Sequence, residues 1–337
     1  MRPTLATVDW AVIGAYVLFA FVIGSLFVKK ASQGVESFFV GDRKLPWWLA
    51  GTSIVATTFA ADTPLAVTGI VAGAGVSGNW LWWGSAIAQV ISTFFFARLW
   101  RRAGVITDAE VTELRYGGRA AAALRGFKAL YFGLFVNTLT MGWVISAMVK
   151  ISRAFFDVSP AVVIAVCIVT SVCYTTLGGF RSVVITDFVQ FLLSVVGAVA
   201  LAAMVSSRYG GLGAQGDGAP SLLTSLGEVA ARGGSSLAEL VSFIPSGHSA
   251  QMSIPLFIVL LSAGWWSQCE GNGYVVQRLA ACRDEAQAEG AALWFAVAHH
   301  ALRPWPWIIV GLAALVVFPP QGRGAAPARL AAREAAT

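Results

Sequence analysis

The sequence predicts an all-helical protein that crosses a membrane many times, and two observations carry that expectation. Of 337 residues, 57% are hydrophobic and 12% charged, with a mean hydropathy of +0.72, whereas soluble domains have about 25% charged residues. The apolar residues also gather into runs of roughly 19 residues or more, long enough to span a bilayer. Eight runs stand out, at 9–28, 46–74, 79–99, 129–149, 159–177, 182–206, 252–280 and 303–319. Residues 1–320 are therefore expected to form a single membrane domain.

The first run, Trp10 to Val28, is too long for a signal-peptide core of about 7–15 residues, and its basic flank, Lys29 and Lys30, follows it. It reads as a retained span. The second run is interrupted. In LPWWLAGTSIVATTFAADTPLAVTGIVAGAG, Leu45 to Gly75, the middle carries Thr57, Thr58, Asp62, Thr63 and Pro64. A carboxylate at bilayer depth costs roughly 2.5–3.5 kcal/mol on insertion scales, and Pro64 removes a backbone donor. A broken helix at that depth must face protein or a water-filled cavity.

Residues 107–127 are amphipathic and read as a surface helix with a turn at Gly117–Gly118. Gly178–Gly179 with Arg181 reads as a tight turn between the fifth and sixth runs, after which Thr186, Asp187 and Gln190 enter the sixth on neighbouring helical positions. Asp187 has two open roles, pairing with Arg181 or lining an inner exit for a cation. The Gly- and Ser-rich stretch 207–251 reads as an extracytoplasmic loop holding a short helix near Leu222–Ala231.

The seventh run is the second interrupted one, with Gln268, Glu270, Gly271, Asn272 and Gly273 in an otherwise apolar segment. Glu270 has two possible partners, Arg278 eight residues on or a group on another helix. Residues 284–302 read as a helix lying partly along the interface before Pro304 and Pro306 open the last run, with His299 and His300 as interface markers. Trp80, Trp82, Trp83, Trp265 and Trp266 read as belt or packing residues. The tail 321–337 is rich in Ala, Arg and Pro and reads as disordered.

Basic residues orient the spans. With the loop after the first span inside, fifteen Lys and Arg fall on that side and five on the other, outside the tail, which places the N-terminus outside. Basic membrane loops thus account for the formal charge of +6 without a nucleic-acid partner. Cys167, Cys173, Cys269 and Cys282 have no metal-ligand spacing and read as packing residues. No nucleophile–base pair or metal motif suggests an enzyme, and no cofactor is expected.

Two interrupted spans, five spans apart behind one leading helix, fit a five-plus-five inverted repeat, and such breaks are the best sequence pointer to a transporter's central site. Unwinding frees carbonyls that can replace water around a small cation. Isolated threonines more often bond their own helix, whereas an intramembrane carboxylate leans toward function.

Three motifs together resemble the sodium/solute symporter family, which includes the sodium-coupled sugar and proline transporters. They are SFFVGDRKLPWWLAGTSIVATTFAADTPL (Ser37–Leu65), TTLGGFRSVVITDFVQ (Thr175–Gln190) and GYVVQRLAACRDEAQA (Gly273–Ala288). The resemblance runs from about residue 8 to 318 and implies a leucine-transporter-type inverted-repeat fold with one extra N-terminal helix. It implies alternating access at a cell membrane, with inward sodium flow driving uptake of a small polar solute. It places sodium on the backbone carbonyls of Ala56 and Phe59, with Asp187 near the exit path. Solute contacts are expected at Asp62, Thr63, Ser85, Glu270 and Asn272.

Trp82 stands where the sugar transporters have a glutamate and His300 where they have a lysine, departures that weaken the expectation of a sugar and leave the solute open. The resemblance also implies that the second repeat is incomplete, so the chain is expected to be a truncated copy whose transport on its own is weak. The alternative is a non-transporting sensor or partner subunit derived from such a symporter.

Overall fold

The computed structural model describes residues 6–213, 221–246, 251–264 and 273–319. Among them, five helical runs are long and apolar enough to cross a membrane, or six if one bent pair counts as a span. The first, α1 (Thr7–Ala31), is apolar throughout its middle and ends on Lys29 and Lys30. The bent pair follows, α2 (Trp47–Thr57) and α3 (Asp62–Ala74), which meet at 67°. Pro64 is the third residue of α3, a first-turn position where a missing N–H costs nothing. It therefore starts a second helix rather than kinking one continuous helix.

The next runs are α4 (Val76–Arg102) and α5 (Gly118–Phe155), each with a π-helical segment, Ser92–Phe96 and Tyr131–Val136. The expectation of a separate surface helix over 107–127 is corrected here. A short helical segment forms from Asp108 to Arg115, the chain breaks at the expected Gly117–Gly118, and the helix that starts at Gly118 runs on into the span. Run α6 (Pro160–Arg208) is two helices joined at Gly179, whose φ of 59° and ψ of −164° are not helical. A side chain there would also lie 3.0 Å from Ala31 Cβ, so only glycine fits the turn.

Helix α7 (Leu222–Arg232) is capped by Ser221, whose hydroxyl accepts from the Thr224 amide. Two shorter helices, α8 (Ile254–Ser262) and α9 (Gly273–Ala280), precede α10 (Glu285–Val317), which is interrupted by a π segment at Ala298–Leu302.

The chain divides into two compact units. In the first (Met1–Thr63, Ile87–Leu193, Ser267–His299) the leading half of α10 lies along α2. Between membrane helices there is little hydrophobic driving force, so close packing by small residues decides the contact. A Cβ on Gly51 would lie 2.6 Å from the Ala291 carbonyl oxygen, and one on Gly290 would lie 3.0 Å from Trp47 Cβ. Trp294 Nε1 donates to Thr52 Oγ1 at 2.9 Å, and Ala288, Ala291, Ala292, Phe295 and Ala296 are buried. The interfacial helix expected over 284–302 is thus a core helix. Its small-residue stripe needs a helix partner, not a water boundary.

Below α2 the chain is tied by paired carbonyls. Leu45 N–H donates to Ala281 O at 3.1 Å and Arg283 N–H to Leu45 O at 3.0 Å. Arg43 donates to the carbonyls of Gly104 (2.6 Å) and Ala280 (3.2 Å).

In the second unit (Pro64–Ala86, Ser194–Trp266, His300–Thr337) α7 packs on the trailing half of α10. Leu222 and Leu226 are buried there, as are Ile308 and Leu312. Trp83 is buried, stacked on Phe243 with centroids 5.4 Å apart, and Trp80 Nε1 donates to the Phe243 carbonyl at 2.7 Å. These two tryptophans are packing residues.

Candidate functional site

The break between α2 and α3 is built from local hydrogen bonds. At Thr58 the backbone leaves the helix with ψ near 2°. Its N–H is shared between Ile54 O (3.3 Å) and Val55 O (3.1 Å), and Phe59 N–H donates to Ala56 O at 2.8 Å. A helix end leaves its last carbonyls without intrahelical partners. The carbonyl of Ala56 accepts the turn-type N–H of Phe59 and is also approached by the N–H of Thr58.

The threonines of the break bond backbone oxygens. Thr57 Oγ1 donates to Ser53 O (2.8 Å), Thr58 Oγ1 to Val55 O (2.7 Å) and Thr63 Oγ1 to Thr58 O (3.3 Å). Asp62 opens α3, and its Oδ2 accepts from Trp143 Nε1 at 2.8 Å. The result is a short non-helical stretch whose outward chemistry is carbonyl oxygen, hydroxyl oxygen and one carboxylate. Such a set suits a hard cation.

Asp187 lies in a different environment, buried in the same unit. Ser53 Oγ donates to its Oδ2 at 2.5 Å, and Arg278 Nη2 reaches the same oxygen at 3.2 Å. Arg278, also buried, donates from Nε to Ser53 Oγ (2.7 Å) and from Nη1 to Tyr274 O (3.2 Å), and lies over the Phe180 ring. The expected pairing of Asp187 with Arg181 is corrected. Arg181 turns instead to Gly41 O (2.9 Å) and Asp42 Oδ2 (2.8 Å), because Gly179 reverses the chain and aims it at that loop. Arg278 is accordingly the partner of Asp187, and Glu270 lies outside the described residues.

In the second unit Ser85 Oγ donates to Trp82 O (3.1 Å) and meets His300 Nε2 at 3.0 Å. Trp83 Nε1 donates to the His300 carbonyl at 3.0 Å. The guanidinium of Arg303, 2% exposed, lies over the rings of Trp82 (4.9 Å) and Trp307 (5.5 Å). Cation–π contacts of this kind hold an arginine in an apolar setting.

Of the residues singled out in the sequence, Ala56, Phe59, Asp62 and Thr63 share the helix break, Asp187 belongs to the ion-pair centre, and Ser85 sits with His300. Asn272, like Glu270, lies outside the described residues, as do Trp265, Trp266 and Cys269. Ser53 and Arg303 were missed, and Arg278 was read only as a partner for Glu270. His299, read as an interface marker, places Nδ1 3.2 Å from Thr58 Oγ1 in the first unit; His300 is buried in the second. Cys167, Cys173 and Cys282 are free thiols, and no cluster of three metal-ligating side chains occurs among the described residues.

The model of the sodium:solute symporter family matches residues 38–329. A sodium/glucose cotransporter of Vibrio parahaemolyticus is 24% identical over 325 residues, covering 93% of this chain and 56% of that protein. Sodium/glucose cotransporter 1 of Oryctolagus cuniculus is 27% identical over 205 residues, 60% of this chain and 30% of its own length. The chain thus spans between about a third and just over half of these relatives. Among solved structures, the substrate-bound outward-open state of a Na+-coupled sialic acid symporter aligns with a TM-score of 0.72 at 22% identity, over 93% of this chain and 61% of that one. The two share a fold.

Proposed function

The chain belongs to the sodium:solute symporter family, and on that premise we propose that it serves sodium-driven uptake of a small polar solute across the cell membrane by alternating access. The observation that carries this reading is the break at 58–61, where the helix ends in carbonyls beside a carboxylate at the start of α3. In this reading the backbone oxygens of Ala56 and Phe59 hold sodium. Asp62, Thr63 and Ser85 contact the solute, along with Asn272 and Glu270. The basic-residue asymmetry supports an extracytoplasmic N-terminus.

The solute is read as something other than a hexose, although relatives are named for glucose transport. Trp82 carries the Arg303 guanidinium on its face, and His300 bonds Ser85. A cationic and aromatic set of this kind favours solutes with anionic or other acceptor groups over a neutral ring of hydroxyls.

The test is uptake by proteoliposomes containing the chain, with an inward sodium gradient, screened over carboxylate-bearing, amine-bearing and sugar solutes. Weak but sodium-stimulated uptake of one class is the expected result; equal uptake with and without the gradient for every class would sink the reading.

A further inference from the structure

We propose that His299 is a positioning residue for the helix break, acting through a fixed Nδ1–H that holds Thr58 between the two carbonyl-bearing residues Ala56 and Phe59. The inference rests on the sodium reading of that break. It begins with a hydroxyl proton. Thr58 Oγ1 lies 2.7 Å from Val55 O, and a carbonyl cannot donate, so the hydroxyl hydrogen belongs to that contact. The 3.2 Å contact between Thr58 Oγ1 and His299 Nδ1 then takes its hydrogen from the imidazole in this proposal. The tautomer it assigns to His299 carries the proton at Nδ1 and donates it to Thr58.

Thr58 is where this matters most. Its N–H is shared between Ile54 O and Val55 O, its carbonyl accepts from Thr63 Oγ1, and its ψ departs from the helical value. Any rotation there swings the peptide that leads into Phe59. The imidazole arrives on a helix already registered against α2 at Trp47, Gly51 and Thr52. The π segment at Ala298–Leu302 inserts the turn that aims residue 299, a feature that often accompanies functional positions. The Phe295 ring, 5.1 Å from the imidazole between centroids, supports it from the same helix.

Two substitutions separate a fixed donor from simple packing. Asn places its amide nitrogen where Nδ1 sits, whereas Gln places it nearer Nε2. Sodium binding to the full chain in lipid nanodiscs would be read with radioactive sodium, alongside the thermal midpoint of each protein. His299→Gln is expected to weaken sodium affinity by about tenfold, the low end for a residue that orients a metal ligand. His299→Asn should restore affinity to within about twofold of wild type. In a Thr58→Val background, the difference between the Asn and Gln variants should vanish.

Equal affinity of the Asn and Gln variants, or a difference that persists with Thr58→Val, overturns the inference while leaving the sodium reading intact. Absence of saturable sodium binding in the wild-type chain defeats the sodium reading, and the inference with it.

Discussion

Two parts of α2, one helical turn apart, solve the problem of polar groups in a membrane protein in opposite ways. At Ser53 the helix faces a closed charge centre, in which Asp187 and Arg278 neutralise each other through a shared hydroxyl. At Thr57–Thr58 the helix ends in carbonyls beside Asp62, whose Oδ2 accepts from the neutral indole of Trp143. The two are joined through Ser53, whose carbonyl accepts from Thr57 Oγ1 at 2.8 Å. In the proposed reading the two divide the work of a cation site: the ion pair fixes the helix, and the break offers its oxygens to an ion.

The largest effect should come from uncoupling the closed centre. Arg278→Met leaves Asp187 buried without its counter-charge, and such a loss costs about 3–5 kcal/mol. The thermal midpoint of the purified protein should fall sharply, and adding Asp187→Leu should recover most of it. If the double variant is no better than the single, the pair is not the unit described here. Ser53→Ala is the next step down. It removes a hydrogen bond to each ion while leaving the ions in contact, and bonds to charged groups contribute about 1.5–3 kcal/mol.

The break should respond the other way, in transport rather than in stability. Asp62→Asn keeps an acceptor for Trp143 Nε1 and removes the charge. Sodium-driven uptake is expected to fall about tenfold, about 1.4 kcal/mol, with little change in thermal midpoint. Unchanged sodium dependence would take Asp62 out of the mechanism. A large loss of stability would mean that the break, too, is a structural centre and that the contrast fails.

How much of this was legible in the sequence depends on distance along the chain. The break is a local pattern, since Thr57, Thr58, Asp62 and Pro64 interrupt one apolar run within eight residues, and the structure ends one helix and starts another there. The partner of Asp187 was not legible, because Arg278 is 91 residues away and nearer Arg181 offered itself as the obvious choice. Only the turn at Gly179 decides between them. His299 was misread for a related reason: paired histidines near the end of an apolar run look interfacial. The better signal was the preceding stripe Ala288, Gly290, Ala291 and Ala292, which marks a helix meant to lie against another. Glu270 and Asn272 carry equally local cues, and their role stays with the proposal.

The smallest expected effect tests the outer limit of the contrast, at a charge pair near water. Asp42 sits in a tight turn where Gly41, Asp42 and Arg43 all have positive φ. Ser37 donates to its carboxylate, and Arg181 pairs with it at 2.8 Å. The Ser37 hydrogen bond, aided by the nearby Arg181, holds the Asp42 carboxyl below its ordinary range. A carboxyl depressed on folding stabilises above its unfolded value, about 3.9, and the contribution is lost as pH falls through the lower folded value. Asp42→Asn keeps a residue that tolerates left-handed backbone, so only the charge is removed. The variant should be less stable than wild type by about 0.2–1 kcal/mol at pH 7, as exposed pairs are, and the gap should begin to narrow near pH 4 and close only below the lower folded value. A gap as large as that of Arg278→Met would place this loop among the closed centres. A gap that persists in acid would mean the side chain acts through its shape, and the charge at Asp42 would then contribute nothing to the turn.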